Sequence, residues 1–432
     1  MSTFQTFVLG LFIVFLLGGV AAFALFRGGS ANALPPLVLW GTLPSSVASP
    51  YFASDAVGQA GLKITYVEKD PATLEDDLTE SLAKGLAPDL VIFPHDYLYR
   101  GRTKLAIIPF SIFSERDFRD AFIDGADVFL AQDGVIGVPL YIDPLVMYFN
   151  RNMFSSKAIA NPPKYWDEFY TLAPKFNERN QAGNLTRTIV SFGETSNIAH
   201  FKELLTNLIL QAGNPIITIS ERDGAQVVLN DNKTGLPNSP AESALLFYTT
   251  FSNPVEPAYS WNKSLLNSRD AFVGETLGTY FGLGSELSLI RARNPNLNFY
   301  IAPLPQIRDS QNRLSFGRVY GLVIPKNSRN AGAAMVAAKI LSGSSLSYGL
   351  VASTGLPPAR RDLLSTPQED VYRSILYSSA IMTRVWPDPS YGESTGIFRD
   401  MIDSVTSGKL RLSTAVDQAT KKLEILIQKY AQ

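Results

Sequence analysis

Apolar and polar positions alternate along residues 62–68, with Leu62, Ile64 and Tyr66 set against Lys63 and Thr65, which predicts a strand. Leu74, Leu78 and Leu82 then recur every fourth residue as far as Gly85. Thr73 and Asp76 frame a capping box in front of them, so a helix with a glycine stop is expected. Residues 88–93 form the next apolar run. Strand, helix and strand at this spacing predict a right-handed parallel crossover. Residues 37–41 make a short apolar strand closed by Gly41. Helical periodicity returns at 198–212, 241–251 and 330–341. It returns again at 412–430, where Val416, Ala419, Leu423, Leu426 and Tyr430 share one face. Phe169, Leu172 and Phe176 share another face, and Pro174 should kink or end that helix.

The most informative stretch is 134–154, GVIGVPLYIDPLVMYFNRNMF. Asp133-Gly134 is a turn dipeptide between the apolar runs 127–130 and 135–138, and predicts a hairpin. A second strand-like run covers 145–149. The segment between the runs holds Tyr141, Asp143 and Pro144. A carboxylate beside a proline at that point predicts a crossover between lobes and not the centre of a buried strand.

Composition narrows the class. The chain has 432 residues, 46% hydrophobic and 18% charged, which is enough for a sizeable core in two or three domains. A net charge of −1 gives no reason to expect nucleic acid as a partner. Cysteine is absent, which removes disulfides, thiolate zinc sites, cysteine nucleophiles and a lipid-bearing N-terminal cysteine. With only His95 and His200, neither a metal site nor any cofactor is expected. No nucleophile elbow, zincin, P-loop or dinucleotide motif is present, and a non-enzymatic role is expected. Residues 7–26 carry no charge. At ~1.5 Å per residue they span about 30 Å, a bilayer core. Residues 1–27 are therefore expected to be a transmembrane signal-anchor, with a signal peptide cleaved near Ala33 as the alternative. Residues 28–36 read as a linker.

Several ordered motifs resemble the family 1 extracellular solute-binding proteins, the maltose-binding type that serves ABC transporters. Gly137, Val138, Pro139, Asp143, Tyr148, Phe149, Asn150, Arg151 and Phe154 fit that family's crossover pattern. The segments PPKYWDEF (162–169), NFYIAPLP (298–305) and GLPPAR (355–360) fit three more of its motifs, with Tyr165 departing at a threonine. The resemblance covers 37 to the C-terminus. It implies an α/β, periplasmic-binding-protein-like type II fold: two lobes with mixed sheets flanked by helices and a ligand cleft between them. The implied lobes are 37–143 plus 322–366 and 144–321 plus 367–432, hinged at Asp143, Pro144, Tyr320 and Gly321. It also implies a monomer with an extracytoplasmic body that serves ABC transporter permease subunits, and the uncharged stretch 7–26 is expected to hold that body at the membrane.

Sugar faces stack on aromatic rings, and sugar hydroxyls need carboxylates and amides. By match to the family, Phe93 and Asp96 are ligand contacts, with a turn-capping role as the alternative for Asp96. Asp143 is a hydroxyl acceptor or a capping carboxylate. Tyr141 and Tyr320, on the two crossover strands, serve the ligand or packing. Trp40 ends a strand and lines the cleft or the core. Trp261 sits in a polar loop at the ligand, the rim or the core, and Trp386 precedes Pro387-Asp388-Pro389 where the resemblance puts ligand-facing residues. Arg318 reads as an exposed surface charge, with an anion clamp as the alternative, and His95 as a hydrogen-bonded structural residue. Two family positions depart: Tyr97 replaces an arginine and Gly284 a tryptophan. A carbohydrate leads among ligands. A peptide, a polyamine or a membrane-tethered sensor or scaffold role is the alternative.

Overall fold

The first strand, β1 (Leu37–Gly41), lies between β2 (Ile64–Glu68) and β3 (Leu90–Pro94), parallel to both. The computed structural model describes residues 34–220, 224–233, 235–310 and 312–430. The expected anchor at 1–27, the cleavage site at Ala33 and most of the linker lie outside the described residues.

Helix α1 (Leu74–Ala83) connects β2 to β3 and buries Leu74 and Leu78, as its periodicity predicts. The expected capping box does not form. Thr73 already has helical dihedrals, φ −114° and ψ −7°, so its hydroxyl makes no cap bond. The turn before the helix is held by Asp70, whose carbonyl accepts from the Thr73 and Leu74 amides.

The hairpin exists, one residue out of place. Ala131 pairs with Gly134, so the loop is Gln132-Asp133, and Asp124–Phe129 is a 3-10 helix and not a strand. Gly134 serves close approach: a Cβ there would lie 2.2 Å from the Ile108 carbonyl oxygen.

Strand β4 (Gly137–Asn150) runs for 14 residues, all of them buried. Asp143 and Pro144 therefore sit inside a buried strand, contrary to the sequence expectation. Pro144 is tolerated because β4 changes neighbours there. It pairs with β7 (Ser315–Pro325) from Gly137 to Pro144, and with β5 (Thr279–Leu283) from Leu145 to Phe149. The missing N–H thus falls at the handover, and the Pro144 carbonyl accepts from Gly284 N at 2.9 Å.

These strands belong to one nine-stranded mixed sheet with the path β5-β4-β7-β3-β1-β2, and β6 (Phe299–Ala302) pairs the far half of β4. Two hydrophobic cores pack against it. Val138 to Ile142 of β4 and Val319 to Ile324 of β7 contribute to one core. Leu145 to Phe149 of β4 and Phe316 of β7 contribute to the other. Both strands change core at the same rungs, where Pro144 pairs with Gly317 and Asp143 with Arg318. The second core also contains α2 (Phe201–Gln211), α5 (Tyr391–Thr406) and α6 (Leu412–Tyr430), α4 (Val371–Ile381) gives Leu376 to it and Tyr377 and Ala380 to the first, and α3 (Glu286–Arg293) begins beside Asp143. Pro174 is accommodated in the helix Glu168–Phe176, which ends two residues after it.

Candidate functional site

Alternate residues of a strand share a face. Tyr141 and Asp143 of β4 are paired directly with Tyr320 and Arg318 of β7, so all four side chains are set on one face at the junction of the lobes. The Tyr141 and Tyr320 rings stack, centroids 4.7 Å apart and planes 18° from parallel.

Beside them lies a groove of about 370 Å³. Tyr141, Asp143 and Tyr320 line it together with the loop after β1 (Thr42 to Pro44), Val47 in the helix that follows (Ser45–Phe52), and Pro71. Ser285 and Ser288 at the start of α3 form part of its wall, as do Thr354 and Leu356.

Asp143 is both groove-lining and a cap. Its Oδ1 accepts the Ser285 amide at 2.9 Å, at the N-terminus of α3. Burial pushes its carboxyl up to about 6, against the Ser285 hydrogen bond and the Arg318 charge, which favour ionisation.

Arg318 is not a free surface charge. Its Nε lies 3.3 Å from Asp96 Oδ2 and its Nη2 donates to Glu203 Oε1 at 3.1 Å. Its guanidinium lies over the Tyr391 ring, 4.9 Å from the centroid, and Tyr391 donates its hydroxyl to Glu203 at 2.9 Å. A chain of charges continues behind it. His200 Nε2 meets Glu286 Oε1 at 2.5 Å, Arg269 and Tyr280 also bind Glu286, and Lys202 pairs with Asp388 at 2.5 Å. Burial raises the Asp96 carboxyl despite Arg318 beside it. Burial also opposes the Glu203 charge, but His200, Arg318 and Lys202 outweigh it and hold that carboxyl well below its usual range.

Sequence reasoning missed Glu203, His200, Lys202 and Tyr391. Every residue of α2 is buried, the polar ones included, and a one-sided apolar stripe does not announce that. His95 behaves as expected: it is buried, accepts the Val319 amide on Nδ1 at 3.2 Å, and is held neutral by burial and by Arg318.

The remaining expected contacts lie elsewhere. Phe93 is fully buried, edge-on to Tyr97 and against Gly101. Trp261 is 1% exposed and donates its indole N–H to Asn197 at 3.1 Å. Trp386 is 2% exposed and packs edge-on to Phe398. Trp40 is half-buried with the Lys69 ammonium 3.9 Å over its ring. In each case the ring is engaged by protein, and none of the four lines the groove. Gly284 has a steric reason: a Cβ there would lie 2.7 Å from Leu376 Cδ2 and 3.4 Å from Asp143 Oδ1.

The charge chain has a pH signature. Burial disfavours the charged His200, yet hydrogen bonds and charges from Glu203 and Glu286 raise it to about 9. The stability this adds is complete below the unfolded value of about 6.5 and lost as pH rises through the folded value. Unfolding free energy should therefore fall between those two values, and His200→Gln should flatten the fall. Equal slopes for both proteins in denaturant titrations would contradict the assignment.

Two lobes joined by paired strands, with a polar and aromatic groove at the junction, define a binding protein of the periplasmic type II architecture. Residues 52–372 match the family described as bacterial extracellular solute-binding protein. The chain belongs to that family, and the protein is an extracytoplasmic solute-binding protein. A maltooligosaccharide ABC transporter solute-binding lipoprotein of Streptococcus pneumoniae is 22% identical over 400 residues, covering 87% of this chain and 85% of the relative. A cyclo/maltodextrin-binding protein crystallised with maltotetraose superposes with a TM-score of 0.72 at 20% identity, covering 92% of this chain and 99% of that one. The sugar-binding protein of Xanthomonas citri gives 0.70 at 17%, covering 91% and 98%.

Proposed function

We propose that this protein captures a carbohydrate in the groove beside Tyr141, Asp143 and Tyr320 and delivers it to the permease subunits of an ABC transporter. The observation that carries this reading is the stacked tyrosine pair with a buried carboxylate beside it, at the rungs where both strands change core. Tyr320 offers a flat apolar surface for a sugar face, and Asp143 an acceptor for its hydroxyls. The names of the related proteins point to the same ligand class.

The lobes are residues 37–143 with 322–366, and 144–321 with 367–432. Closure bends the chain at Asp143, Pro144, Tyr320 and Gly321. The ladder there already carries a bulge, since Tyr320 pairs with Tyr141 and Gly321 with Pro139. Residues 7–26 hold the body at the outer membrane–water boundary, in place of the lipid for which this chain has no cysteine. The solute leaves unchanged.

A thermal-shift screen of sugars, oligosaccharides, polyamines and short peptides tests the reading. Ligand at 100 times its Kd stabilises by about 2.7 kcal/mol, so a sugar should raise Tm by an amount that grows with concentration. A response to polyamines or peptides alone would replace the carbohydrate with another solute.

A further inference from the structure

We infer that the groove takes one or two sugar rings and excludes longer oligosaccharides. This rests on the carbohydrate reading and names the size class.

Each ring of a bound oligosaccharide calls for apolar surface of its own, and aromatic faces are the usual source. Here they are scarce. Tyr141 and Tyr320 each use one face on the other, and Tyr141 is 1% exposed, which leaves one face of Tyr320 among the rings that line the groove. Trp261 and Trp386 are buried in the core of the second lobe, and Trp40, half-buried with Lys69 over one face, does not line the groove. The volume of about 370 Å³ is near the bottom of the range for small-molecule sites, about 300–1,000 Å³.

Beyond Pro71, at one end of the groove, a contact joins the two lobes. Tyr97 donates its hydroxyl to the carbonyl of Pro71, a wall residue, at 3.4 Å. Its ring meets Tyr391 of the other lobe edge-on, centroids 6.4 Å apart. On the shared face of β4 and β7, the position after Tyr320 toward that end is Arg318, already paired with Asp96 on one side and Glu203 on the other. A chain extended past Tyr320 meets this contact between the lobes. On the α3 side stands Gly284, which offers no side chain to extend the platform, and a Cβ there would press on Leu376 Cδ2 at 2.7 Å.

The test is calorimetric titration of the full-length protein with two ladders, glucose to maltotetraose and cellobiose to cellotetraose. In the ladder that binds, affinity should peak at one or two rings and fall at least tenfold by four. Tyr97→Ala, checked for native circular dichroism, should narrow the gap between the two- and four-ring ligands. Affinity that rises steadily through four rings overturns the size limit and leaves the carbohydrate reading standing. A polyamine or peptide that binds where no sugar of any length does overturns both.

Discussion

Arg318→Met should destabilise the protein by about 3 kcal/mol, the largest loss expected from a single change near the groove. Removing one partner of a buried ion pair typically costs about 3–5 kcal/mol, because the other charge stays behind without compensation. Here Asp96 loses its ion-pair partner and Glu203 one of the three cations that hold it, and both carboxylates are nearly inaccessible. The Arg318 side chain is itself 21% exposed, so water relieves part of the loss and the lower end of the range applies. The pH dependence identifies the cause. Without the guanidinium both carboxyls move upward, and protonation relieves them, so the deficit should shrink as pH falls. Arg318→Met combined with Glu203→Gln should recover part of the loss, since neighbours sharing an ion network do not add. Denaturant midpoints at unchanged slope supply the measurement. A cost below about 1 kcal/mol, independent of pH, would mean the pair contributes no more than a surface contact.

That arginine marks what a sequence can and cannot show. The β2–α1–β3 unit was legible because each element has its own period, and Leu74 and Leu78 fall inside as their spacing requires. Tyr141, Asp143 and Tyr320 were legible because a family motif placed them on the two crossover strands, and strand alternation then put them on one face. Arg318 was misread because what buries it is remote: Glu203 stands 115 residues away along the chain. The same holds for His200 and Tyr391, whose partners are supplied by packing between elements. Phe93, Trp261 and Trp386 lie buried away from the groove for a different reason. An aromatic near a loop or a strand end suits a cleft and a core equally, and only the arrangement of neighbours decides. The hairpin slipped by one residue because Gly134 looked like a turn glycine, whereas its absent Cβ is needed for the approach of Ile108.

Asp143 offers the sharpest test of the binding site. Its side chain has two duties, accepting the Ser285 amide and facing the groove. Asp143→Ala removes both. A hydrogen bond to a charged group contributes about 1.5–3 kcal/mol, so sugar affinity should fall roughly 10- to 150-fold. Asp143→Asn separates the duties, because its carbonyl oxygen still accepts from Ser285 while the charge is gone. That variant should keep the fold and lose most of the affinity. The pH profiles should differ as well. Burial raises the Asp143 carboxyl to about 6, above the unfolded value of about 3.9. Between these values the folded state holds more protons than the unfolded one, so Asp143 lowers stability as pH rises and Asn removes that slope. Affinity should run the other way, strengthening as pH rises through about 6 and the carboxylate forms. If Asp143→Ala still shows the full ligand-induced rise in Tm, the carboxylate is only the cap of α3, and the sugar is held elsewhere.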